Sequence, residues 1–174
     1  DVSKGLWFHY FGSKLGLYTF VYGYSVKYMI LELSSVVDAD EKNYFEIIKQ
    51  IEFTKMRISK SYPYMTMFLE QAFGENDTDV LEQTAEDRKI FQEKMTGLIK
   101  SGEIPGIADK AKREKLKKIA QYTINGIVKD KAFLVEPEAV YREIKNYLEL
   151  LRDMAAVESH AAKEEPNLVI ESVA

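Results

Sequence analysis

The sequence predicts an all-α fold, and three observations carry that prediction. Apolar residues recur at three- and four-residue spacing from Lys14 almost to the end of the chain. Proline, glycine and Asp or Asn interrupt these runs at positions that suit helix ends. No sustained alternation of apolar and polar residues competes with the helical period, and no internal repeat is evident.

Each element follows from this punctuation. Ser13 can cap a helix that begins at Lys14 and runs to about Ser34, with Leu17, Phe20, Val21, Tyr24, Tyr28 and Leu31 at helical spacing. The turn Asp38-Ala39-Asp40 ends it. A second helix spans about Lys42 to Lys60. Ser61-Tyr62-Pro63 breaks it and opens a third, because proline fits a first turn whose N–H has no helical partner. Gly74 stops the third helix. After Asn76-Asp77, a fourth carries Leu81, Thr84, Arg88, Phe91, Met95 and Leu98 up to Gly102. Pro105-Gly106 marks a loop, Asp109 can cap a fifth helix to about Lys131, and Pro137 opens a last one to about Glu158. Beyond Ala161 the periodicity fades, and Leu168-Val169-Ile170 is too short to assign.

Composition narrows the function. With 174 residues, 46% hydrophobic and 12% aromatic, the chain can bury one sizeable core and at most a small second domain. It has no cysteine, which excludes a disulfide scaffold and a thiolate metal site and suits a reducing cytoplasm, the expected location. Two histidines leave little for catalysis. No metal cluster, glycine-rich phosphate loop or nucleophile and base pair is visible, so no catalytic residue, metal or cofactor is expected and the chain does not read as an enzyme. The net charge of -4 argues against general nucleic-acid binding, but DNA responds to local charge. The most membrane-like stretch, Leu15 to Leu33, contains Lys27, Glu32, Gly23 and Ser25 and falls short of the ~20 apolar residues of a span. A buried connecting helix is expected there, without a membrane partner.

The run Val2-Ser3-Lys4-Gly5-Leu6-Trp7-Phe8-His9-Tyr10-Phe11-Gly12-Ser13-Lys14, followed by Leu17, is the most informative stretch. Ser3 can cap a short helix whose free N–H groups and positive dipole end suit a phosphate. Gly5 lets backbone approach a surface, while Trp7 and Phe11 share one face that needs covering. Lys14 sits where a phosphate contact positions a protein without reading sequence. The pattern V-S-x-G-x-x-[FY]-x-[HY]-F-x-S-K-x-x-L resembles the second half of the helix-turn-helix of the tetracycline-repressor (TetR) family of transcriptional regulators. It covers about a tenth of the chain. Phe8, Tyr10 and Gly16 depart from the residues usual at those positions.

The resemblance implies that Lys4, Gly5, Leu6, Phe8, His9, Tyr10 and Lys14 approach DNA beside the Ser3 cap, while Val2, Trp7 and Phe11 hold the small domain together. It also implies two helices before Asp1, so the chain is expected to belong to a longer protein. The resulting division is residues 1–14, the second half of a helix-turn-helix; 15–34, a connecting helix; 35–160, a ligand-binding and dimerisation domain; and 161–174, a tail.

The second helix is apolar on two sides and is therefore expected at the centre: Tyr44, Ile47, Ile48, Ile51 and Ile58 form one face, and Phe45, Phe53 and Met56 the other. Glu52, in or beside these arcs, needs a partner, either Lys55 or Lys49, or a ligand. The cluster Tyr62, Tyr64, Met65, Met67, Phe68 and Phe73 reads as core or as an adaptable apolar pocket. A mainly apolar cavity is expected to contain Phe53 and Met56 with some of Tyr64, Phe68, Phe91, Met95 and Tyr122. Glu52 facing it would favour a cation, and Lys55 an anionic amphiphile.

The last two helices read as an association surface. Val140, Ile144, Tyr147, Leu151 and Met154 form one stripe, widened by Tyr141, Leu148 and Ala155. The preceding helix offers Leu116, Ile119, Ala120, Thr123, Ile124, Ile127 and Val128 beside Gly126, so two copies could form a four-helix bundle. Ile127, Ile144, Tyr147, Leu148, Leu151 and Met154 are the expected homodimer contacts. The basic run from Lys110 to Lys118 reads as solvated surface.

The resemblance thus implies a homodimeric repressor that binds pseudo-palindromic operator DNA and is released by a small hydrophobic or amphipathic effector. The alternative is a helical small-molecule-binding or interaction module without DNA-binding activity. The sequence upstream of Asp1 discriminates the two.

Overall fold

The computed structural model describes residues 9–130 and 136–164, with residues 157–164 as backbone only. Within these, residues 9–11 are helical and are followed by α1 (Lys14–Val36), α2 (Tyr44–Ser61), α3 (Pro63–Phe73), α4 (Thr78–Lys100), α5 (Lys110–Asp130) and α6 (Pro137–Glu164). No strand occurs among the described residues, so the class is all-α as the periodicity predicts.

Local hydrogen bonds set the helix starts. Asn43 Oδ1 accepts from the Phe45 N–H at 3.0 Å, and Asp77 Oδ1 from Asp79 and Val80 at 3.0 and 3.1 Å. Asp109 Oδ1 accepts from Ala111 and Lys112 at 2.7 and 3.3 Å, the role expected of it. Helix α2 begins two residues after the expected Lys42 because the backbone there is engaged elsewhere. Lys42 O accepts from Glu103 N at 2.7 Å and Tyr44 N donates to Glu103 O at 2.8 Å, which stitches the start of α2 to the loop after α4. Helix α6 continues to Glu164, past its expected end.

Helix α2 is central, packing against α1, α3, α4 and α6. Its Tyr44, Phe45, Ile47, Ile48, Ile51 and Ile58 are all buried. Glu52 is buried too and accepts a 2.7 Å bond from Lys55 Nζ, whereas Lys49 pairs with Glu46 at 2.8 Å and lies 3.9 Å from Glu149 of α6. Helix α1 turns a different face inward from the one its spacing suggested. Tyr22, Ser25, Val26, Met29 and Leu33 are buried, while Phe20, Tyr24 and Leu31 are exposed. The helix is apolar around most of its circumference, so the face is chosen by what α4 and α2 cover rather than by the period.

The α5 and α6 pair closes the fold. Ala120, Ile124 and Ile127 of α5 and Ile144, Leu148 and Ala155 of α6 belong to the core. Tyr44 Oη donates to Lys117 O at 3.3 Å, which fixes α5 against the start of α2. No helix among the described residues is long and apolar enough to cross a membrane.

Candidate functional site

Three places collect the side chains singled out by the sequence. The first is the turn before α1. Ser3, Lys4, Gly5, Leu6 and Phe8, with Val2 and Trp7, lie outside the described residues. His9, Tyr10 and Lys14 are described and exposed, Tyr10 at 73%. The helical turn at 9–11 stops at Gly12, whose φ of 67° lies in the left-handed region that glycine enters without a steric penalty. Ser13 is extended; its N–H donates to Phe11 O at 2.7 Å and its Oγ accepts from Gly16 N at 2.9 Å, capping α1. A Cβ at Gly16 would stand 2.2 Å from Phe11 O, so this tight junction requires the glycine that departs from the family pattern. Phe11 turns back onto α1, its ring 5.2 Å from that of Phe20, while the rings of His9 and Tyr10 meet edge to face at 5.6 Å.

The second place is an open groove of about 360 Å³ lined by Tyr22 of α1, Phe73 of α3, and Arg88, Phe91, Gln92 and Met95 of α4. Phe73 and Phe91 stack at 5.4 Å and form an apolar wall. Arg88 is held from two sides: Nε donates to Thr84 Oγ1 and Nη2 to Ala72 O, each at 2.8 Å. The Ala72 carbonyl lies in the last turn of α3, where a cation is favoured by the helix dipole. The guanidinium also sits over the Tyr22 ring, 4.9 Å from its centroid. Burial pushes the Tyr22 hydroxyl pKa up against the opposing influence of Arg88, and burial followed by the Glu75 charge does the same for Tyr18. Both hydroxyls therefore keep their protons at neutral pH and remain donors.

Of the side chains expected around a ligand, Phe91 and Met95 line this groove and the other six lie elsewhere. Glu52 is paired with Lys55, and Met56 is half-buried on α2. Phe53 is partly exposed, its ring 5.5 Å from that of Tyr141 on α6. Phe68 packs edge to face on Tyr18 at 5.1 Å. Tyr64 is 84% exposed because α3 buries its Leu69 and Ala72 face, and Tyr122 is 70% exposed on the outer side of α5. Most of the tyrosine and methionine cluster of α3 thus faces solvent: Tyr62, Tyr64, Met67 and Phe73 are all exposed. Sequence spacing does not single out Tyr22, Phe73, Arg88 or Gln92 as groove residues. The available signal was a single arginine in the middle of the apolar stripe of α4.

The third place is the outer face of the α5 and α6 pair. Ile127, Ile144 and Leu148, expected at a dimer contact, are buried within the chain's own core instead. Leu151 is half-buried, and Tyr147 and Met154 face solvent, Met154 at 61%. Leu150 of α6 and Ile119 and Tyr122 of α5 are exposed apolar side chains of the same two helices. No family model, curated protein or solved structure matches this chain.

Proposed function

We propose that the protein is a TetR-like transcriptional regulator, a repressor whose reading head leaves operator DNA when a small, mainly apolar effector binds the helical body. The observation that carries the reading is the junction at Phe11, Gly12 and Ser13. It joins a helical turn bearing exposed His9 and Tyr10 directly to a helix that begins at exposed Lys14. A recognition helix followed at once by a capped helix with a lysine at its first position suits base-edge contacts on one side of the turn and a phosphate contact on the other.

The groove supplies the effector site. Helix α1 starts at the junction and lines the groove with Tyr22, eight residues or about 12 Å further along one continuous helix. A ligand that alters how α1 lies against α3 and α4 therefore moves the reading head with it. The exposed apolar side chains of α5 and α6 supply the homodimer contact: Ile119, Tyr122, Tyr147, Leu150 and Met154 meet a second copy as a four-helix bundle, and the two heads then address a two-fold site.

The reading is tested by selecting duplexes from a random library with a chain that carries the upstream helices the resemblance implies. Enrichment of a pseudo-palindrome is expected, with no operator binding by residues 1–174 alone. Binding that never exceeds non-specific affinity contradicts it.

A further inference from the structure

Arg88 is held by hydrogen bonds and by the Tyr22 ring, yet among the described residues it has no carboxylate partner on an otherwise apolar helix face. Thr84, Arg88, Phe91 and Met95 follow one another at helical spacing, so the guanidinium lies within an otherwise apolar stripe. Two of its nitrogens are used by Thr84 and Ala72, both neutral acceptors, and among the described residues no carboxylate lies within ion-pair distance of it. The neighbouring Asp87 does not line the groove, and its carboxylate lies 3.9 Å from Lys27 Nζ. A half-buried cation without a counter-charge is unfavourable, and a bound anion relieves it.

A second observation points the same way. Tyr22 is 0% exposed, lines the groove, and has a hydroxyl without a hydrogen-bond partner. The Tyr18 hydroxyl, one helical turn earlier, is also buried and unpartnered. Buried polar atoms are ordinarily satisfied, so an orphaned donor beside a guanidinium that lacks a carboxylate partner marks a place for an acceptor. Phe73, Phe91 and Met95 offer the adjoining apolar surface. A volume of about 360 Å³ falls at the small end of ligand sites.

The geometry points to a carboxylate-bearing amphiphile as the ligand of this groove, its anionic oxygens on the Arg88 guanidinium and the Tyr22 hydroxyl and its apolar body along Phe73, Phe91 and Met95. The assignment rests on the reading of this groove as the effector site, but its test needs no DNA. Arginine presents a planar fork that matches a carboxylate, and a charge-assisted bond discriminates against a neutral head of equal length.

The experiment is calorimetric titration of the full chain with decanoate, decanol and decyltrimethylammonium at neutral pH, repeated on Tyr22→Phe and Arg88→Gln. Saturable one-to-one binding of decanoate is expected, about tenfold or more tighter than decanol, with no binding of the ammonium compound. Tyr22→Phe should weaken decanoate severalfold while raising the melting temperature of the ligand-free chain, because it removes an unsatisfied hydroxyl. A purely structural tyrosine would show no such opposed pair of changes. Arg88→Gln should abolish the head-group preference. Since Arg88 also ties α3 to α4, the decision rests on Tyr22→Phe and on the head-group series with the unaltered chain. Equal or tighter binding of decanol or of the ammonium compound, non-saturable uptake of decanoate, or unchanged decanoate affinity in Tyr22→Phe each overturns the proposal and leaves the DNA-binding reading standing. Failure of duplex binding does the reverse.

Discussion

Helix α2 is covered by α1, α3, α4 and α6, whereas α6, comparably broad in apolar residues, is covered on one face and leaves Tyr147, Leu150 and Met154 in solvent. Both helices carry branched aliphatic and aromatic residues at helical spacing, chiefly isoleucine with Tyr44, Phe45 and Phe53 in α2 and chiefly leucine with Tyr141 and Tyr147 in α6. Spacing tells how wide an apolar arc is, and width alone tells that more than one neighbour is needed. Whether that neighbour is the same chain depends on topology. Helix α2 comes early and is enclosed by the helices around it, while α6 comes last, packs against α2 and α5 and leaves its other side in solvent.

The largest expected effect lies on the enclosed helix. Ile51 is almost fully buried, so Ile51→Ala should lower the unfolding free energy by about 2–5 kcal/mol in urea titrations, through lost transfer energy and a residual cavity. A loss below about 1 kcal/mol would mean that α2 is not the centre of the core. On the open helix the same measurement should barely respond. If the proposed homodimer forms through this face, Met154→Glu should instead halve the mass seen by light scattering and leave helical circular dichroism intact, because the side chain is 61% exposed in its own chain. A monomeric unaltered chain would break the comparison at this point.

Smaller changes sharpen it. Ser13→Ala removes the 2.9 Å cap of α1 and should cost about 1 kcal/mol in thermal or urea unfolding. Tyr44, enclosed at the start of α2, has its hydroxyl pKa pushed up to about 12, first by burial and then by the Glu114 charge. The folded chain therefore holds this proton to higher pH than the unfolded chain, whose tyrosine titrates near 10. The contribution is fully present below pH 10 and is lost as pH rises from about 10 towards 12. Tyr44→Phe should remove that component of alkaline destabilisation, as read by the pH dependence of urea midpoints.

Helix ends were legible because they are local: Ser13, Pro63 and Asp109 act on backbone groups within a few residues of themselves. The buried face of α1 was not, because the helix is apolar around most of its circumference: Tyr22 and Tyr24 lie on opposite faces, and the position of α4, not the period, decides which of the two faces is covered. The pocket was half legible for the same reason. Arg88, Phe91 and Met95 share one helix face and could be grouped by spacing, whereas Tyr22 and Phe73 join them only once three helices are packed. Tyr64 and Tyr122 misled because large apolar surfaces are read as interior, although much of a folded surface is apolar. Ile127, Ile144 and Leu148 were grouped with Tyr147 and Met154 because one wide arc does not show where the core ends and the outer face begins.

The most direct test of the regulator reading is the salt dependence of duplex binding by the upstream-extended chain and its Lys14→Ala and Tyr10→Ala variants. Lys14 is exposed at the first turn of α1, so its loss should weaken specific and random DNA alike and reduce the slope of log affinity against log salt by about one phosphate contact. Tyr10, 73% exposed on the helical turn before the junction, should matter for the selected operator and leave the slope nearly unchanged. Unaltered affinity and slope in both variants would contradict the account.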